Sequence, residues 1–222
     1  MPLSYRQVEP PAAEPVSLRE AKKQLNIDDD FEDDDDFISD KIVAARQYVE
    51  QSMCRAIFNR KMRLSLDFFP YPTYGATVNP NDRHSLYGRY WHQLAIRLPM
   101  PSAVSVESIT YMDLDGTVKT LDSSQYKVDY DSDPARILPA PGLYWPYTQS
   151  YVAGSVKVNY TAGSFGDGVT TNTCPRTITQ AILLLASYWY NHRDAAEATP
   201  PKAIEVGVES LLSDYNVESF GY

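Results

Sequence analysis

Hydrophobic positions along this chain follow a helical period near both ends and a strand period through the middle. Leu18, Ala21 and Leu25 share one helical face, and Ile38, Ile42, Ala45, Val49 and Met53 form a longer stripe with Phe37 and Tyr48 beside it. Ser17-Leu18-Arg19-Glu20 reads as a capping box, so the first helix is expected from Ser17 to about Asn26. The second is expected to start in the acid-rich run Asp28–Asp36 and to continue to about Cys54; acids at a helix start suit its positive end.

From Asn59 the period changes to two. Met62, Leu64 and Leu66 alternate with Arg63, Ser65 and Asp67, the signature of a half-buried strand. Comparable stretches occupy Gln93–Leu98, Val104–Met112, Val118–Leu121, Tyr126–Tyr130 and Ser155–Tyr160, with Asp115-Gly116 as a hairpin signal. Their spacing predicts a small antiparallel sandwich or barrel. Pro70–His92 and Pro139–Tyr151, rich in aromatics and proline, read as exposed loops.

The helical period returns between Cys174 and Ala195 in a more apolar form. Pro175 stands at the opening, and Ile178, Ile182, Leu185 and Trp189 make one stripe. Ala181, Leu183, Leu184, Ala186, Tyr188 and Tyr190 cover most of the remaining circumference. A helix apolar nearly all round is buried on nearly all sides. In a chain this short the pattern predicts burial against neighbouring subunits as well as its own core, with Leu183, Ala186 and Tyr190 as the ring-packing candidates. After Thr199-Pro200-Pro201 a short helix carries Val206, Leu211 and Leu212.

These patterns predict an α+β fold: a helical bundle from residues 17–58 and 174–215, a β-rich antiparallel insertion from 59–173, an extended proline-bearing arm over 1–16, and a tail over 216–222. The net charge of −9 argues against a wrapped nucleic-acid ligand but not against DNA passing nearby. No window approaches the length of a membrane span, and the first residues lack a signal peptide's basic and apolar regions. The two cysteines, Cys54 and Cys174, lack metal-ligand spacing and read as free thiols of a reducing cytoplasm.

Candidate chemistry is sparse. Counted from Asp28, the sixth and twelfth positions of a calcium loop hold Asp33 and Ser39 instead of glycine and glutamate, so the acid run reads as a solvated helix start. Gly163-Ser164-Phe165-Gly166 lacks the pattern of a nucleophile elbow and the lysine of a phosphate loop. His84 and His92 fall in the first aromatic loop and His192 at the end of the apolar helix. No catalytic residue, cofactor site or metal site is expected. Nine of the seventeen tyrosines fall in the two aromatic loops and the apolar helix, and aromatics in loops are enriched at protein–protein contacts.

Several segments carry a family resemblance. Val16–Lys22, the acid-rich link, Ile42–Glu50, and Ile178–Ala186 with Trp189-Tyr190 resemble the head–tail connector (adaptor) family of tailed bacteriophages. Pro134–Ile137 with Trp145-Pro146, Ser155–Val158 with Thr161-Ala162-Gly163, and Gly207–Leu212 resemble its longer members, which carry a β-rich insertion. The resemblance implies a non-enzymatic virion protein of the neck, assembled in the bacterial cytoplasm as a twelvefold ring beneath the portal protein. Such a ring extends the DNA channel without specific DNA binding and docks a stopper or tail-completion protein; no membrane is involved. The acid excess predicts a lumen that repels phosphate. Leu212, Tyr215, Val217, Phe220 and Tyr222 become the portal-interface candidates, because a short aromatic tail can order on a partner. A soluble carbohydrate- or ligand-binding β module using the aromatic loops is the alternative reading.

Overall fold

Ser17 opens the first helix through reciprocal hydrogen bonds. The Glu20 amide donates to Ser17 Oγ at 3.2 Å, and the Ser17 amide donates to Glu20 Oε2 at 3.0 Å. In a computed structural model, which describes residues 3–71, 94–149, 152–192 and 202–216, this helix is α1 (Leu18–Leu25). It is followed by α2 (Asp35–Met53), α3 (Arg176–Asn191) and α4 (Lys202–Leu212). Left-handed residues stop the first two: Asn26 at φ 57° and Cys54 at φ 51°.

Eight strands complete the described structure: β1 (Leu3–Glu9), β2 (Arg60–Leu66), β3 (Ile96–Arg97), β4 (Ala103–Met112), β5 (Val118–Thr120), β6 (Tyr126–Asp129), β7 (Arg136–Pro139) and β8 (Val156–Ala162). They form two antiparallel sheets, one ordered β1-β2-β8-β4-β5 and the other β3-β7-β6. The expected α+β class is observed. The described strands close no barrel, because each sheet keeps two free edges.

Two compact units result. One contains the strands, from the described N-terminus to Pro10 and Arg60–Ala162; the other contains the helices, Pro11–Asn59 with the chain from Gly163 onward. The helical core gathers Ile38, Ile42, Ala45, Val49 and Met53 of α2 with Ile178, Ala181, Ile182 and Leu185 of α3 and Val208 and Leu212 of α4. In the β unit Met62, Leu64 and Leu66 alternate inward with Val156, Val158, Tyr160 and Ala162 on the neighbouring strand.

Two strands escape the hydrophobic pattern. β1 lies where an extended arm is expected; residues 4–9 are exposed, so ladder hydrogen bonds to β2 rather than alternation define it. β7 is a four-residue strand starting two positions after Pro134, too short for a period to register. At the hairpin signal, Gly116 takes φ +77° and its amide donates to Asp113 O at 2.9 Å.

Candidate functional site

The acid run is folded rather than loose. Lys22, on the same face of α1 as Leu18 and Leu25, is buried and donates from Nζ to Phe31 O at 2.8 Å and Asp29 O at 3.2 Å. The same ammonium lies 2.5 Å from Asp35 Oδ1. Arg19 pairs with Asp29 at 3.1 Å, and the Tyr190 hydroxyl donates to Asp34. Lys22 therefore ties the loop between α1 and α2 to its helix through two carbonyls and one carboxylate. The sequence reading passed over Lys22; the signal for it is a lysine on an otherwise apolar helix face, just ahead of an acid run. Asp28, Asp30, Glu32, Asp33 and Asp36 remain exposed. Among the described residues no group of three or more His, Cys, Asp or Glu is arranged to hold a metal ion.

Further along, α2 carries a buried charge cluster. Arg46 donates from Nε to Glu14 and from Nη1 to Glu50, both at 2.7 Å, while Glu50 Oε1 accepts the Ile57 amide at 2.9 Å. Burial opposes the charge on Arg46, but the two carboxylates outweigh it and hold its pKa above the ordinary value.

The apolar helix α3 buries one side in this unit and leaves another open. Tyr190 packs against Phe37 with ring centres 5.8 Å apart, and Trp189 meets Tyr48 edge-on at 6.0 Å. Leu183 is half-buried against the core, whereas Leu184 is 37% exposed. Two of the sequence candidates are core residues: Ala186 is 4% and Leu212 0% exposed, so neither offers a surface to a partner. The reason is geometric. Ala186 lies four residues beyond Ile182 and Leu212 four beyond Val208, which puts both on the stripes that face inward. Tyr215 is half-buried; its hydroxyl lies 3.1 Å from Thr177 Oγ1 and its ring meets Phe165 edge-on. Val217, Phe220 and Tyr222 lie outside the described residues, as do His84 and His92.

In the β unit the second aromatic loop splits into an anchor and two exposed rings. Trp145 stacks on Phe69 at 4.9 Å and donates from Nε1 to Leu94 O at 2.8 Å. Its neighbours Tyr144 and Tyr147 are 70% and 72% exposed. Tyr147 stacks on Tyr71 at 5.8 Å, and the Tyr71 hydroxyl donates to Pro146 O at 2.7 Å. Burial, with Tyr147 adding to it, pushes the Tyr71 pKa up to about 12. These rings wall an open cavity of about 630 Å³ together with Asp67, Phe68 and Gln149. Asp67 Oδ1 accepts the Gly154 amide at 2.8 Å, and Phe68, Tyr71 and Tyr147 give the cavity an aromatic wall. The described part of the chain thus presents exposed tyrosines and an acidic loop, with Leu184 the one exposed leucine on an otherwise polar flank of α3.

Residues 15–74, which contain α1, α2 and β2, match the family model of phage gp6-like head-tail connector proteins. No protein of curated function matches the sequence. The fold is similar to solved structures over nearly its whole length. A chain in the neck of an empty gene transfer agent (GTA) particle, computed with C6 symmetry, is 20% identical with a TM-score of 0.69, covering 99% of this chain and 98% of that one. A chain in the virion of a native GTA particle is 19% identical with a TM-score of 0.68, covering 98% of each. A chain in the neck of a native GTA particle, computed with C12 symmetry, is 20% identical with a TM-score of 0.64, covering 100% of this chain and 99% of that one.

Proposed function

We propose that the chain is a structural connector in the neck of a phage-like particle, where twelve copies close a ring beneath the portal protein. The ring extends the DNA channel, gives the stopper or tail-completion protein a platform, and performs no catalysis. The observation that carries this reading is the connector-family match over residues 15–74 inside a fold similar from end to end to chains of GTA particle necks. Leu184, 37% exposed on the flank of α3, and half-buried Leu183 support subunit packing through that helix, because a neighbour covering them would remove apolar surface from water. The net charge of −9 supports a channel that lets DNA slide.

Cryo-EM of particles made by the producing cell tests the assignment. A closed ring of this chain between portal and tail is expected; its absence from the neck, or a stoichiometry that fits no ring, sinks the reading. Val217, Phe220 and Tyr222 are assigned to the portal contact, since the two large rings supply burial from a segment of few residues. Deleting residues 216–222 is expected to keep the thermal midpoint and to lose attachment to portal-bearing heads. Heads that retain the truncated chain at wild-type occupancy would move that contact elsewhere.

The competing ligand-binding reading has the Tyr71–Tyr147 stack as its observation. Binding of soluble glycans by the purified protein, with no ring in any particle, would favour it.

A further inference from the structure

The five-stranded sheet turns an apolar face inward and a basic face outward, on a chain whose net charge is −9. Strand pairing sets Arg6 opposite Arg63, Lys61 opposite Thr161, Arg63 opposite Asn159 and Ser65 opposite Lys157. Their alternating neighbours Met62, Leu64, Val156, Val158 and Tyr160 are buried, so the basic side chains share the outer face. Two acids reach it. Glu9 pairs with Lys61 at 2.9 Å, and Glu107 accepts the Thr161 hydroxyl at 2.9 Å.

Arg6, Arg63 and Lys157 have no carboxylate partner among the described residues; Arg63 Nε donates to Asn159 Oδ1 at 2.8 Å instead. Like charges placed directly opposite across a ladder destabilise it, as Arg6 and Arg63 are here. Such a face gains by meeting an acidic surface. The densest acidic surface on this chain is its own run Asp28–Asp36, eight acids in nine positions. After Arg19, Lys22 and Tyr190 have engaged Asp29, Asp35 and Asp34, five exposed acids are left.

A closed ring of identical subunits uses heterologous contacts, in which two different patches of one chain meet. Opposite charges on the two patches meet that requirement; a face-to-face pairing of either patch with itself would set like against like. We propose that the basic outer face of the five-stranded sheet docks on the Asp28–Asp36 run of a neighbouring copy. The inference rests on the ring-forming reading and names the charged part of its subunit contact.

Charge reversal on each side tests it with the full chain. One variant carries Arg6→Glu and Lys157→Glu, the other Asp30→Lys, Glu32→Lys and Asp33→Lys, all at exposed positions. Circular dichroism is expected to match the wild type for both. In sedimentation velocity the wild type is expected to associate at low ionic strength and to weaken about tenfold or more by ~0.5 M salt. Each variant alone is expected to associate about tenfold more weakly than the wild type at low salt. An equimolar mixture is expected to recover wild-type association, because every contact in an alternating ring again joins opposite charges.

Wild-type association by both variants alone, a mixture that does not recover, or a wild type that stays monomeric at low salt overturns the proposal. Duplex DNA bound by the wild type and lost in the Arg6/Lys157 variant assigns the face to nucleic acid and overturns it too. Intact neck rings built from either variant alone remove this contact while leaving the connector reading standing. Absence of the wild-type chain from the neck removes the connector reading itself.

Discussion

Arg46 and Glu50 form an ion pair one turn apart on α2 at 2.7 Å, with side chains only 3% and 2% exposed. Burying two charges is tolerated because each is partnered at more than one point. Glu14 takes the guanidinium's other edge, and the second Glu50 oxygen takes the Ile57 amide beyond the helix end. The cluster joins the chain before α1, the body of α2 and the turn after it. Glu50→Ala leaves Arg46 half-partnered and the Ile57 amide without its acceptor, so a loss of about 3–5 kcal/mol is expected. Urea unfolding followed by far-UV circular dichroism checks it; a loss below about 1 kcal/mol would mean the turn finds other acceptors.

Trp145 and its neighbours give a contrast within one loop. Trp145→Ala removes the stack on Phe69 and the hydrogen bond to Leu94 O, and is expected to cost about 3–5 kcal/mol. Tyr144→Ala is expected to stay within about 0.5 kcal/mol of the wild type, since its ring is mostly in water. The pair of thermal melts separates an anchor from a contact residue, and equal losses would contradict the assignment.

Asp167 supplies a pH dependence. Its carboxylate accepts the Thr170 hydroxyl at 2.5 Å and the amides of Thr171, Val169 and Thr170, which hold its pKa down to about 2. A folded pKa below the unfolded one contributes stability that is complete above the ordinary carboxylate value and is lost as pH falls toward the folded value. Asp129, lowered to about 2 by the Ser132 hydroxyl and Arg136, acts in the same window in the β unit. The thermal midpoint is expected to fall between about pH 4 and 2. Asp167→Asn keeps an amide acceptor and removes the titration, so its midpoint is expected to fall less steeply; an unchanged slope would place the acid sensitivity elsewhere.

The helices were legible because burial and period coincide: Ile38, Ile42, Ala45, Val49 and Met53 are all buried, and Ser17 with Glu20 forms the capping box their spacing announces. Strands β2 and β8 were legible for the same reason at a period of two. β1 was hidden because residues 4–9 are exposed and a strand held by ladder bonds leaves no hydrophobic trace. The surface was harder to read than the core. An apolar helix says that its circumference wants covering but not which part the chain covers itself, so Ala186 and exposed Leu184 could not be told apart without α2 and α4 in place. The basic sheet face needed the register: Arg6 and Arg63 are 57 positions apart and become neighbours only through strand pairing.

Leu184 and Leu212 carry the sharpest distinction between surface and core. Both are leucines on apolar helices, and both would be ranked alike from their segments. Leu212 is fully buried against the helical core, so Leu212→Asp places an unpaired charge there and is expected to unfold the helical unit or leave it soluble only in part. Leu184 is 37% exposed, so Leu184→Asp is expected to change stability by no more than about 1 kcal/mol. If the flank of α3 packs against a neighbouring subunit, the same substitution buries a carboxylate in an apolar interface and removes the chain from neck rings. The measurement is the thermal midpoint of the purified variant beside its occupancy in particles. A normal midpoint with lost occupancy supports packing through α3, and normal values of both would leave that flank facing water in the assembled neck.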